Sequence, residues 1–160
     1  MQTNLERNLV FVFRMLMAWT FIYAASHQVF DPKFSIVGFL NHTKTFHDLF
    51  AVFAAPSVAP VVGFLVAYGH LLIGLSLLFG LMVRVSASFG IALLLMYWMA
   101  HMDFPYIENA NNFIVDYHIV YSVVLVYLIA KHAGHVWGLD GLLENMPFMA
   151  QHPKLRPLIA

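Results

Sequence analysis

The chain contains no cysteine. That absence excludes disulfides, dithiol redox chemistry, thiolate zinc sites and cysteine-ligated iron–sulfur clusters. Any redox work then requires a bound cofactor, a quinone or a partner subunit. Charge is also scarce: Asp, Glu, Lys and Arg make up 10% of the residues, against about 25% in an ordinary soluble domain. The formal net charge is zero, so nothing favours nucleic acid. No glycine-rich phosphate loop and no nucleophile elbow is present. No hydrophilic block is long enough to form a second domain.

What fills the chain instead is apolar sequence, 61% of all residues. It falls into stretches 9–30, 58–83, 85–102 and 113–130. A bilayer core needs about 20 apolar residues per helix, and each stretch meets or nearly meets that length. The sequence thus predicts an all-α, integral membrane four-helix bundle in a single domain over 1–160, with lipid as its surroundings and a polar tail over 131–160. The first stretch lacks a small-residue cleavage site and is too long for a signal-peptide core, so a retained helix is expected. Asp31-Pro32 stops it, and the short link at Met82-Val83-Arg84 forces an antiparallel hairpin. Between the first two stretches, 33–54 mixes Phe34, Val37, Phe39, Leu40, Phe46, Leu49, Phe50 and Phe53 with Asn41, His42, Lys44 and Asp48. It is too polar to span, and one or two interfacial or re-entrant helices are expected there. The segment 103–112 reads as a loop.

Basic residues orient the bundle. Arg7, Arg84, Lys131, Lys154 and Arg156 fall on one side, Lys33 and Lys44 on the other. The positive-inside rule then places both termini in the cytoplasm of a multi-pass cell-membrane protein, with 33–54 and 103–112 facing outward.

Polar residues inside apolar helices are costly and mark candidate sites. His27, His101 and His118 fall near one level towards the outer face, with His70 deeper and Asp103, Glu108 and Asp116 nearby. Tyr23/His27 and Tyr97/His101 are i, i+4 pairs and His118/Tyr121 an i, i+3 pair, spacings that share a helix face. Such a layer can bind a quinone head group, ligate haem or a metal through imidazole, or relay protons. The competing role is interfacial anchoring, which histidine and tyrosine also serve. Arg14, just inside the first stretch, either snorkels to the cytoplasmic interface, pairs with an acid or binds an anion. Asp116, just inside the fourth stretch, reads as an N-terminal charge that suits the helix dipole.

The run from Phe21 to Pro32 after Arg14, the run from Gly69 to Arg84, Asp116-Tyr-His118, and the run from Trp137 to Leu143 together resemble the DoxX/DoxD family of small membrane proteins. The likeness covers most of the chain in order. It implies a four-helix membrane bundle and a link to respiratory redox complexes, since DoxD is similar to the large subunit of thiosulfate:quinone oxidoreductase. The chain departs from the family pattern at Ala25-Ser26-His27-Gln28, where Gly-x-x-Lys is frequent, and at Gly69-His70, where Gly-Glu is frequent. The expected function is a quinone-linked redox subunit. His70, His101, His118 and Asp116 would perform its proton chemistry, and Arg14, His27, Tyr97 and Tyr121 would bind the cofactor or substrate. The alternatives are a non-catalytic accessory subunit of a larger respiratory or photosynthetic complex, working with a partner subunit or as a homo-oligomer, and a haem or metal protein ligated through His70 and His118.

Overall fold

The computed structural model describes residues 3–159. It is all-α and of membrane type. Helix α1 (Asn4–Val29), α4 (Ala59–Phe79), α5 (Val83–Ala100) and α6 (Tyr117–Ala130) form the bundle. α1 packs on α4 and α6, and α5 on α4 and α6, so the four helices close into a ring. Three of them, α1, α4 and α5, are long and apolar enough to cross a membrane. Their outward residues are apolar, with Leu16, Trp19, Leu65, Leu72 and Phe89 all exposed, the distribution expected of lipid-facing helices.

Local chemistry sets the helix ends. Thr3 opens α1 by accepting a hydrogen bond from the Glu6 amide at 3.2 Å, so α1 begins earlier than the expected residue 9. Pro60 in the first turn of α4 removes an amide that has no helical partner there. Gly80 ends α4 in the left-handed conformation at φ 65°, where L side chains are disfavoured. Gly74 lets α1 and α4 approach closely: a Cβ added there would lie 2.9 Å from the Ile22 amide nitrogen and 3.3 Å from the Ala18 carbonyl oxygen.

The fourth element differs from expectation. Only Tyr117–Ala130 of the stretch 113–130 is helical. At about 1.5 Å per residue its 14 residues reach roughly 21 Å, short of a hydrocarbon core about 30 Å thick. Asp116 caps the helix through its amides at His118 and Ile119, which fixes the start one turn late. The residues before it are held in a small antiparallel sheet, β1 (Met102–Asp103), β2 (Tyr106–Ile107) and β3 (Asn109–Phe113), in the order β1-β2-β3. The expected loop at 103–112 is therefore a folded three-stranded cap. Over 33–54 there are two short helices, α2 (Val37–Asn41) and α3 (His47–Ala51), followed by a 3-10 turn at Val52–Ala54. Ile36, Leu40 and Phe50 bury against Ala59 and Ala100, so this segment is packed over the ends of α4 and α5.

The polar tail is folded as well. It makes a 3-10 turn at Ala133–His135 and short helices α7 (Leu139–Leu143), α8 (Pro147–Gln151) and α9 (Arg156–Ile159). Arg14, almost fully buried, donates to the Ala133 carbonyl at 2.7 Å and to the Trp137 carbonyl at 3.1 Å. Asp140, also buried, accepts from the Met82 amide at 2.6 Å and the Val83 amide at 3.1 Å, satisfying the first turn of α5. Its own amide donates to the Gly80 carbonyl at 2.9 Å. The tail is thus clasped between α1 and the α4–α5 turn.

Candidate functional site

At the other end of the bundle four rings from three helices form a column. His70 (α4) stacks on Tyr97 (α5) with centroids 5.7 Å apart and planes 28° apart. Tyr97 stacks on His118 (α6) at 5.8 Å and 21°. His118 stacks on His101, the residue that ends α5, at 5.1 Å and 23°. Phe21 of α1 leans on His70 at 5.8 Å, and Phe39 of α2 meets both Tyr97 and His101 edge-on, at 5.3 and 5.2 Å.

Each imidazole is oriented by a defined partner. His70 Nδ1 lies 2.8 Å from the Val66 carbonyl oxygen and His101 Nδ1 lies 2.8 Å from the Tyr97 carbonyl oxygen. A carbonyl only accepts, so both Nδ1 atoms carry hydrogen. His118 Nδ1 faces the Asp116 carboxylate at 2.7 Å, with both side chains almost fully buried. Nδ1–H therefore donates to Asp116. The same Asp116 carboxylate caps α6, so one short helix start both holds the helix and fixes the ring. His101 differs: its Nε2 faces Glu108 Oε1 at 2.8 Å. Both ring nitrogens of His101 therefore face oxygen atoms, the Tyr97 carbonyl on one side and the Glu108 carboxyl on the other.

Glu108 is aimed by the sheet. Its backbone takes φ 51°, a left-handed conformation uncommon for a non-glycine residue and often found where function holds it. Its amide donates to the His101 carbonyl at 3.1 Å. Sequence spacing placed Glu108 near the layer but offered no reason to single it out, because the contact depends on the turn between β2 and β3.

Of the expected site residues, the structure brings together His70, Tyr97, His101, His118 and Asp116. Tyr121 joins at the edge through Tyr117, 5.8 Å away; Tyr117 itself lies 4.0 Å from His118. His27 stands apart. It is exposed, and its ring contacts are with the Tyr23 ring at 4.5 Å, the Tyr23 carbonyl at 3.0 Å and the Ser26 hydroxyl at 3.2 Å, so the i, i+4 pairing is realised but faces outward. His70, expected below the layer, is the inner end of the column. Arg14 is at the opposite end: Phe21, which touches His70, is about 10 Å further along α1 by helical rise. Its guanidinium is engaged by tail carbonyls rather than by the column. The tail glycines are constrained: a Cβ on Gly134 would meet the Asp140 carboxyl carbon at 2.7 Å, and one on Gly138 would meet Gly80 Cα at 3.0 Å.

Two cavities flank the column. An apolar cleft of about 340 Å3 between α2, α4 and α5 is bounded by Phe39, Val66, Gly69, Phe89, Leu93 and Tyr97 among others. A polar cavity of about 420 Å3 is lined by Phe39, His42, Lys44, His101, Asp103 and Glu108. Lys44 Nζ and Asp103 Oδ2 pair across it at 2.6 Å. The Tyr97 ring lies between His70 and His118, and among the described residues no group of three or more His, Cys, Asp or Glu is placed to hold a metal ion.

The family model that matches this sequence is DoxX, over residues 9–102. No curated protein matches the chain, and no solved structure does.

Proposed function

The chain belongs to the DoxX family, and from that membership and the buried ring column we propose that it is a quinone-linked membrane redox subunit. The observation that carries the reading is the column itself. Three imidazoles held by carboxyl and carbonyl groups, with a tyrosine ring among them, add little to bundle stability that leucine would not, and an intramembrane ionisable group is by default a candidate for function. The surroundings fit a quinone. The apolar cleft reaches Tyr97 and is within the size range of small-molecule sites, about 300–1,000 Å3. Imidazole and phenol groups of the column are donors and acceptors suited to ring oxygens. A bound quinone supplies two-electron, two-proton carrier chemistry. His118, locked by Asp116, presents Nε2 to the site, and His101 with Glu108 offers a second imidazole–carboxyl pair at the rim of the polar cavity.

The test is binding. Full-length protein in nanodiscs, titrated with decylubiquinone and followed by tryptophan quenching, is expected to show saturable binding, since Trp98 adjoins Tyr97. Tyr97→Phe or His70→Leu should weaken it about tenfold, near 1.4 kcal/mol. Absence of saturable binding to the wild-type chain would overturn the reading. The accessory-subunit reading has its own observation: Phe104, Tyr106, Phe113 and Val115 are exposed on or beside the small sheet, a patch of the kind that contacts partners.

A further inference from the structure

Phe39 lines both cavities. It is the side chain shared by an apolar cleft on one side and a polar cavity on the other, and it is only half-buried. It sits on α2, a helix of five residues, and packs edge-on against Tyr97 and His101. The cleft alone lacks what a quinone head needs. Among the described residues Tyr97 is the one in its walls with a polar side chain, so a head group confined there would leave at least one of its two ring oxygens unpaired, a cost of about 1–3 kcal/mol. Polar side chains, His42, Lys44, His101 and Glu108, line the cavity on the other side of Phe39.

We infer that Phe39 is the partition a quinone displaces. In this arrangement the isoprenoid chain occupies the cleft between α4 and α5, and the head group sits against the His101–Glu108 pair at the floor of the outer polar cavity. The inference rests on the quinone reading and adds where the head lies and which side it meets. Three features support it. Phe39, on a short helix, is the lining residue that the cleft and the cavity have in common. The side chains of His101 and Glu108 are 21% and 45% exposed, so the pair is reachable from the cavity while anchored at its base. Glu108 is held towards His101 by a left-handed backbone. The pair is surrounded by further polar groups: Lys44 and His42 after α2, Asp103 of β1, Tyr97 of α5, and Asp116, Tyr117 and His118 at the start of α6. His101 Nε2 and the Glu108 carboxyl thus meet where a quinone ring oxygen can reach them.

The experiment compares two probes on the full-length protein in nanodiscs: decylubiquinone, and decylbenzene, which has the chain without the polar head. Dissociation constants are measured for the wild type, His101→Leu, Glu108→Gln and Phe39→Leu. His101→Leu and Glu108→Gln should each weaken decylubiquinone about tenfold and leave decylbenzene within about twofold, the effect of losing one hydrogen bond to the head group. Phe39→Leu, which keeps an apolar side chain and shrinks the partition, should tighten decylubiquinone several-fold and leave decylbenzene unchanged. Glu108→Gln lies on the sheet rather than in the bundle, so it tests the pair even if His101→Leu does not fold. Saturable decylubiquinone binding to the wild type that is indifferent to both Glu108→Gln and Phe39→Leu overturns this inference alone. Equal weakening of both probes overturns it too, since the effect would then be on packing. No saturable binding to the wild type overturns the quinone reading and this inference with it.

Discussion

His118 and Asp116 show how one residue pair can serve fold and chemistry together. The carboxylate accepts from the His118 amide at 3.0 Å and from the His118 ring at 2.7 Å. Asp116→Ala should therefore cost about 0.5–2 kcal/mol as a lost N-cap, read as a lower thermal midpoint in mild detergent. It should also free the His118 ring and weaken decylubiquinone binding. His70 is the contrasting case. Its Nδ1–H donates to a carbonyl of its own helix, so removing it strands no donor. His70→Leu is expected to change stability by no more than about 1–2 kcal/mol while weakening ligand binding. A larger loss of stability would make His70 a structural residue.

At the scale of elements, the α4–α5 turn and the tail form one unit. Asp140 caps α5, Arg14 holds the carbonyls on either side of Gly134, and Gly80, Gly134 and Gly138 leave the room for both. Asp140→Ala should destabilise by about 1–3 kcal/mol, because two amides of the first turn lose their acceptor and Arg14 loses its nearby counter-charge. Burial raises the Asp140 carboxyl above its ordinary 3.8, opposed by the Met82 and Val83 amides and by the charges of His135 and Arg14. A raised carboxyl contributes stability that is complete below the unfolded value and declines as pH rises through the folded one. Relative to Asp140→Asn, the wild type should thus lose stability as pH rises from about 3.8 through the folded value, and hold constant above it. Paired melts of the two proteins across that range measure the difference; a gain with rising pH would contradict the cause assigned.

For the whole molecule, the open quantity is orientation. The excess of basic residues at the end carrying both termini predicts that this end is cytoplasmic and that the small sheet and α2–α3 face outward. Single cysteines at Lys33 and Asn111, both exposed, should react with an impermeant thiol reagent applied to intact cells. One at Gln151, also exposed, should react only after permeabilisation. The reverse pattern would place the polar cavity on the cytoplasmic side.

Sequence by itself determined the class. Long apolar runs, little charge, the stop at Asp31-Pro32 and the short link at Met82-Val83-Arg84 were enough to read an all-α membrane bundle and most helix limits, because length and hydropathy act locally. Helical spacing also placed His70, Tyr97, His101 and His118 on usable faces. What only tertiary structure decided was which faces meet. Tyr97 enters between His70 and His118, whereas His27 turns outward from α1, and periodicity along one helix cannot say how that helix is rotated against its neighbours. Glu108 reaches His101 through a turn between two short strands that carry no spanning signal. Arg14 and Asp140 are 126 residues apart and act on one clasp, since buried charges and unpaired helix-end groups are satisfied by whatever the fold brings to them, wherever it lies in the chain.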